Sequence, residues 1–428
     1  MNKNHQDLLN KAFKYLPGGH LGNINLSRND AIIIEKANGS KVWDTEGKEY
    51  IDFLMGSGPM ILGHNHPTVR QNVQDSINQG SHFFITNKHA ILLAEEINKA
   101  MPCAEKIRFT TSGTDANFQA MRLARTFTKK EKILKFEGGF HGTSDYAMMS
   151  MAPNKNALKN FPISTPTVPG IPTSINETML IAPFNNIDIT ESIITKYKDE
   201  LAAIIIEPLQ RILPPENNFL GKLRKITNKH NILLIFDEVV TGFRLAYGGA
   251  QEKYKTIPDL AAIGKIMAGG YPLAAVCGRK DLMDLFVPSE TNQHYVNQQG
   301  TLNGMPVACV AGLATLNELK KPNTYKKLET TGKKLMEGIK SIFEHHNIPI
   351  QICGDPTIFD IAFTSEKISD YRSYISSNKN LMDKFNLLLL KNGILKSMPF
   401  KFYPSLAHTD EDINKTLEII NEIAPQLS

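Results

Sequence analysis

The stretch Ile232-Leu-Leu-Ile-Phe-Asp-Glu238, with Lys265 following 28 residues after Asp237 in Leu260-Ala-Ala-Ile-Gly-Lys-Ile-Met-Ala-Gly-Gly270, decides the fold. Five apolar residues without polar alternation read as a strand buried on both faces, the kind that parallel sheets use. Asp237 and Glu238 then stand at its C-terminal end, where open α/β sheets gather their ligand-binding side chains. Outward from this strand, from about residue 65 to about 310, the order strand, turn, helix repeats. Strand candidates are Lys106–Thr110, Lys132–Lys135, Ala203–Ile206, Leu233–Phe236 and Ala274–Cys277, with helical stretches at 114–127 and 218–230. The expected architecture is α/β, a large domain around a mostly parallel sheet covered on both faces.

The flanks read differently. Leu8, Leu9, Ala12, Phe13 and Leu16 share one helical face over residues 6–16, which stops at Pro17-Gly-Gly19. Ala31–Glu35, Lys41–Asp44 and Tyr50–Phe53 alternate like a small antiparallel meander turning at Gly39 and Gly47. Past about residue 310, helices through Ala308–Leu319, Tyr325–Glu344 and Asp410–Ala424 surround short strands near Ile348–Cys353 and Thr357–Phe363. The expected division is residues 1–64, an N-terminal helix and meander; 65–310, the large domain; and 311–428, a small α+β domain. Residues 151–176, rich in Pro, Asn, Ser and Thr, read as a long surface excursion.

A chain of 428 residues with 41% hydrophobic and 21% charged residues has ordinary globular composition. The formal net charge of +5 is not gathered into a basic tract, so nothing points to nucleic acid or to a membrane surface. Cys103, Cys277, Cys309 and Cys353 are far apart and form no CxxC pair, which argues against a disulfide framework or zinc knot and fits a reducing cytoplasm. The first ten residues lack a secretory apolar region, and no apolar run reaches the ~20 residues needed to span a bilayer. The expectation is a cytoplasmic enzyme with small-molecule partners and no metal.

Four further motifs fill in the chemistry. Phe109-Thr-Thr-Ser112-Gly113-Thr114-Asp115 runs a strand into a helix through a small-residue turn. Free N–H groups, hydroxyls and the positive helix end meet there, as in a phosphate cradle. Ser, Thr and Asp also cap helices well, so an ordinary N-cap is the other reading. Phe140, in Lys135-Phe-Glu-Gly-Gly-Phe-His-Gly142, offers a ring for stacking on an aromatic ligand or a core side chain; His141 lines the same pocket or belongs to the turn. Glu207, at the end of Ile204-Ile-Ile-Glu-Pro208, either orients neighbours in the site or caps its strand. Val239 falls on the same side as Asp237, beneath a bound ring, and Gly300-Thr301-Leu-Asn-Gly304 offers a second hydroxyl and N–H for phosphate. A lysine in a Gly-bracketed apolar segment and a carboxylate at a buried strand end are what pyridoxal 5'-phosphate requires. The amine forms a Schiff base with the cofactor aldehyde, and the carboxylate keeps the ring nitrogen protonated so the ring accepts electrons from a carbanion.

With Ser112–Ala116, Lys135–Gly142, Glu207-Pro208, Phe236–Gln251, Pro258–Lys265, Gly300–Gly304 and Ser405–Thr409 in this order, the chain resembles the class III (ornithine-type) aminotransferases of PLP fold type I, the aspartate aminotransferase-like fold with a seven-stranded-type sheet. The branch it looks closest to contains glutamate-1-semialdehyde 2,1-aminomutase. The resemblance implies that Lys265 carries the cofactor and later moves protons, that Asp237 pairs with the pyridinium nitrogen, and that Val239 packs on the ring. Gly113 and Thr114 would bind phosphate. Thr301 would reach the phosphate of a neighbouring subunit's cofactor, making a homodimer the smallest active unit. Phe140 stands where the family usually has tyrosine.

Departures gather around the substrate. The aminomutase branch has an arginine shortly after its Pro-Gly-Gly turn, and Pro17–Asn25 has none; its tryptophan is Ser57 here; its glutamate ahead of Ser-Leu-Ala-His-Thr is replaced by Phe400 or Lys401. Arg211, just after Glu207-Pro-Leu-Gln, is a candidate partner for a substrate or donor carboxylate, or else a loop salt bridge. The reading is an aminotransferase passing an amino group from a donor to an aldehyde or keto acceptor by a ping-pong route through pyridoxamine phosphate. The alternatives are an intramolecular aminomutase and a PLP-binding regulatory protein.

Overall fold

The computed structural model describes residues 3–288 apart from 23 and 25, then 295–396 and 401–427. After a helix at Lys3–Tyr15, strands β1 (Ile34–Asn38), β2 (Lys41–Asp44) and β3 (Glu49–Asp52) form the antiparallel meander. The first of them begins at Ile34 rather than Ala31. The turn after Asn38 pairs that residue with Lys41 and Ile34 with Asp44, so the partner strand ends where β1 begins.

The large sheet has seven strands: β4 (Lys106–Thr110), β5 (Lys132–Phe136), β6 (Met179–Ala182), β7 (Leu201–Ile206), β8 (Leu233–Glu238), β9 (Leu260–Ile263) and β10 (Ala274–Gly278). They lie in the order β4-β10-β9-β8-β7-β5-β6. Only β10 runs against its neighbours; the other pairings are parallel. Every residue of β7 and β8 is buried, because helices cover both faces. Phe136, Phe184 and Phe219 pack edge-to-face at 5.3–6.0 Å between centroids on one side. The helix Gly113–Thr128 buries Ala116, Ala120, Leu123 and Ala124 on the other.

The C-terminal region adds β11 (Gln351–Asp355), β12 (Ile358–Ala362) and β13 (Ile394–Leu395). Strand β13 pairs in parallel with β3, so the meander and the C-terminal region share a four-stranded sheet. Ile51 and Phe53 accordingly join a core made of Leu335, Ile339, Phe343, Phe385 and Ile420. Within it, Lys396 donates to Asp360 Oδ1 at 2.6 Å, both side chains at most 1% exposed, with the ammonium 4.7 Å from the Phe402 ring centre. This pair fixes the chain where it leaves β13 toward residues 401–403. Lys396→Met should cost about 3–5 kcal/mol, since it leaves an unpaired buried carboxylate. Adding Asp360→Leu should recover most of that loss. Denaturant midpoints of the single and double variants check this.

Candidate active site

Five parallel strands deliver their C-terminal ends to one edge of the sheet, and each ends in a residue singled out above. Strand β4 leads to Ser112–Thr114, β5 to Phe140, β7 to Glu207, β8 to Asp237 and β9 to Lys265. Apart from the loop residue His141, these line a single cavity of about 710 Å³, together with Val239, Arg211 and Ser57. Pro17–Asn25 contributes Gly22 and Ile24; Asn23 and Asn25 lie outside the described residues.

Asp237 is 5% exposed and held by three contacts. Asn117 Nδ2 donates to its Oδ2 at 2.8 Å, His141 Nδ1 lies 2.8 Å from the same oxygen, and the Val239 N–H reaches Oδ1 at 3.1 Å. His141 therefore stands behind Asp237 instead of lining the cavity; it is 1% exposed and orients the carboxylate. Asn117 was not foreseen. It follows Gly113 by four residues on the same helix, so the i, i+4 rule brings it to the face that carries the turn.

Ser112 caps the helix Gly113–Thr128, its Oγ accepting from Asp115 N at 3.2 Å, and it also faces the cavity, so both readings of that turn hold. The first-turn N–H groups have no partner within the helix. A side chain at Gly113 would put Cβ 2.8 Å from Val239, and one at Gly142, at φ +93°, would meet Thr114 Oγ1 at 2.4 Å. Two turns thus approach closely around the backbone donors of the helix start, a shape that fits a phosphate ester. Glu207 Oε2 accepts from Phe140 N at 2.9 Å, which ties the β7 end to the β5 loop. The Arg211 guanidinium lies over the Phe140 ring at 5.3 Å. Ser57 is hydrogen-bonded to Tyr403, a second cavity residue that was not foreseen.

Thr301 is exposed and does not line its own chain's cavity. Phe400 lies outside the described residues; Lys401 is in the cavity wall. Among the described residues no His, Cys, Asp or Glu cluster could hold a metal ion, and no helix is long and apolar enough to cross a membrane.

Lys265 begins a tight turn at φ +51° after Gly264. Burial, reinforced by the nearby Arg211 charge, pushes its amine down to about 8, against attraction from Asp237 and Glu207. Amine, carboxylate and anion-binding turn are together the set that an aldehyde-bearing aromatic phosphate needs.

Comparison with known proteins agrees with this geometry. The profile of the family Aminotransferase class-III matches residues 25–424. A relative from Methanosphaera stadtmanae described as glutamate-1-semialdehyde 2,1-aminomutase is 37% identical over 425 residues, 98% of this chain and 97% of its own. One of the same description from Methanocaldococcus jannaschii is also 37% identical over 425 residues, with the same coverage. Among solved structures, an omega-transaminase from Sphaerobacter thermophilus superposes with a TM-score of 0.91 at 31% identity, covering 99% of this chain and 97% of that one. A glutamate-1-semialdehyde-aminomutase from Pseudomonas aeruginosa in complex with PMP shares the fold, with a TM-score of 0.88 at 21% identity over 99% and 95% of the two chains. The chain belongs to the class III aminotransferases and is a pyridoxal phosphate-dependent enzyme of fold type I.

An amine at about 8 is roughly one-tenth neutral at pH 7. Capture of pyridoxal phosphate by the cofactor-free protein should therefore speed up about tenfold per pH unit below 7 and level off above about 9. An ordinary lysine would go on accelerating past pH 10. Borohydride reduction followed by peptide mapping should place the cofactor on Lys265, and an adduct on another lysine would remove it from this role.

Proposed function

We propose that the protein is an aminotransferase for a small carboxylate-bearing molecule. The observation that carries this is the meeting of Lys265, Asp237, the Ser112–Thr114 turn and Arg211 in one cavity. Pyridoxal phosphate, when bound, supplies an electron sink for the carbanion formed next to the substrate nitrogen. Lys265 holds the cofactor and then moves a proton at the substrate carbon through its Nζ. Asp237, aimed by Asn117 and His141, holds the proton on the ring nitrogen. Gly113 and Thr114 grip the phosphate, Val239 backs one side of the ring and Phe140 meets it edge or face. Glu207 keeps the Phe140 loop in place. Arg211 takes the carboxylate, for which its planar fork is suited, and Ser57 leaves room where the aminomutase branch is expected to carry tryptophan.

A second reading, intramolecular amino transfer as in the aminomutases, is favoured by the descriptions of full-length relatives at 37% identity. On names alone it has the stronger support; the substituted substrate shell supports transfer between two molecules. A donor screen separates them. Amino acids and simple amines are offered to the loaded protein while conversion of the cofactor to its amine form is followed by absorbance. Transfer between molecules yields a free keto product and needs a second carbonyl compound to restore the spectrum. Efficient turnover of glutamate-1-semialdehyde with no donor would establish the aminomutase instead. Arg211→Ala should lower kcat/KM about 10–100-fold on carboxylated partners, about 1.4–2.8 kcal/mol, and leave uncarboxylated ones unchanged. An equal loss on both would make Arg211 structural.

The working unit in this reading is a homodimer in a reducing compartment, in line with four free, buried thiols. Thr301 serves the neighbouring subunit's phosphate. Exposed Phe84, Ile85 and Leu302, on segments joined by the Asn87 Nδ2 to Gly304 O hydrogen bond at 2.8 Å, support an apolar contact between copies. Mixing inactive Lys265→Ala with weak-binding Thr301→Val chains should yield mixed dimers with one site carrying both lesions and the other carrying neither. Activity should return toward half of the wild-type value per dimer. No recovery despite exchange would place Thr301 outside the site.

A further inference from the structure

Two lysines five residues apart are both buried, and among the described residues only the first has a counter-ion. Lys396 has Asp360 at 2.6 Å. Lys401 is 3% exposed and lines the cavity beside Lys265 and Arg211. Among the described residues its ammonium has neither a carboxylate within ion-pair distance nor a hydrogen-bond acceptor. Glu207 attracts it from farther away, but Glu207 Oε2 already accepts from Phe140 N. Burial first, and then repulsion from Arg211, Lys265 and Arg244, hold it well below the usual lysine range. Its backbone adopts φ +136°, a region that side chains other than glycine avoid. Strain of this kind concentrates at ligand-holding positions. The Tyr403 ring centre lies 5.8 Å from Nζ. Carrying a charge there is costly until an anion reaches it, so an arriving carboxylate would draw a proton onto this amine.

We propose that Lys401 is a specificity-determining residue that grips the substrate's carboxylate together with Arg211. This rests on the reading of the site as an amino-transfer centre and narrows its substrate to small amino and keto acids. Two basic groups that share one acid group disfavour a substrate whose far end is uncharged or cationic, such as a diamine, because it brings Lys401 no anion or adds a further positive charge.

The test uses the cofactor-loaded enzyme and two probes that cannot react, succinate and its uncharged diamide, titrated by calorimetry. Wild type should bind succinate at least tenfold more tightly than the diamide. Lys401→Met should abolish that preference while keeping the cofactor spectrum, and Lys401→Arg should restore most of it. If Lys401→Met fails to fold or load, Lys401→Gln against Lys401→Arg gives the same comparison. Equal affinities in wild type, or an undiminished preference without the lysine, would overturn the proposal. The amine-donor half-reaction is scored separately. Loss of carboxylate preference with amino transfer intact overturns only the role of Lys401; absence of transfer from every donor overturns the underlying reading.

Discussion

A single buried guanidinium holds the cavity's walls together. Arg244 is fully buried and, among the described residues, has no carboxylate partner. It donates instead to three backbone carbonyls, Thr357 O at 2.8 Å, Pro404 O at 3.3 Å and Gly58 O, and lies 5.2 Å from the Tyr403 ring centre. Burial lowers it to about 10, so it remains charged at neutral pH. Its own position is set by the turn that follows β8, where Glu238 accepts from Thr241 Oγ1 and Ala250 N. The turn that aims Asp237 thus also clamps the meander and the C-terminal strands over the cavity. A lysine could not reproduce this fork, because one ammonium cannot reach carbonyls from three separate segments in a planar array.

Around this clamp the enzyme keeps several cations out of water. Lys135, also fully buried, donates to Ala147 O and Met149 O, and burial pushes it down to about 7. Lys265 at about 8, and Lys396 and Lys401, both held down chiefly by burial, belong to the same group. Such lowered ammonium groups cluster where an amine must act as a nucleophile or wait for an anion. The glycine turn between Ser112 and Thr114 adds the positive end of a helix at the same edge.

Transaminases and aminomutases share this scaffold because the cofactor supplies the reaction and the protein supplies orientation. In the proposed reading, discrimination between them falls to a few side chains of the cavity wall, here Ser57, Arg211, Lys401 and Tyr403. Identity of 37% along the whole chain records the common scaffold and leaves these few positions to be weighed individually.

Asp237, Lys265, Glu207 and the Ser112–Thr114 turn were legible in the sequence because each ends an apolar strand or opens a helix, a local signal. Strands β6 and β9 escaped notice, being four residues long and flanked by turns, too short for periodicity to separate from a buried turn. Nothing local foretold that β10 would insert antiparallel between β4 and β9, or that β3 would pair with β13 more than 340 residues away. Asn117, Tyr403 and Arg244 acquire their partners, and Lys401 its basic neighbours, only when distant segments meet. The sequence alone determined the class of chemistry, since strand-end carboxylate, lysine and phosphate turn are short-range patterns. Tertiary structure decided the surroundings of Lys401 in the cavity wall, because a buried amine without a counter-ion among the described residues is a property of everything packed around it.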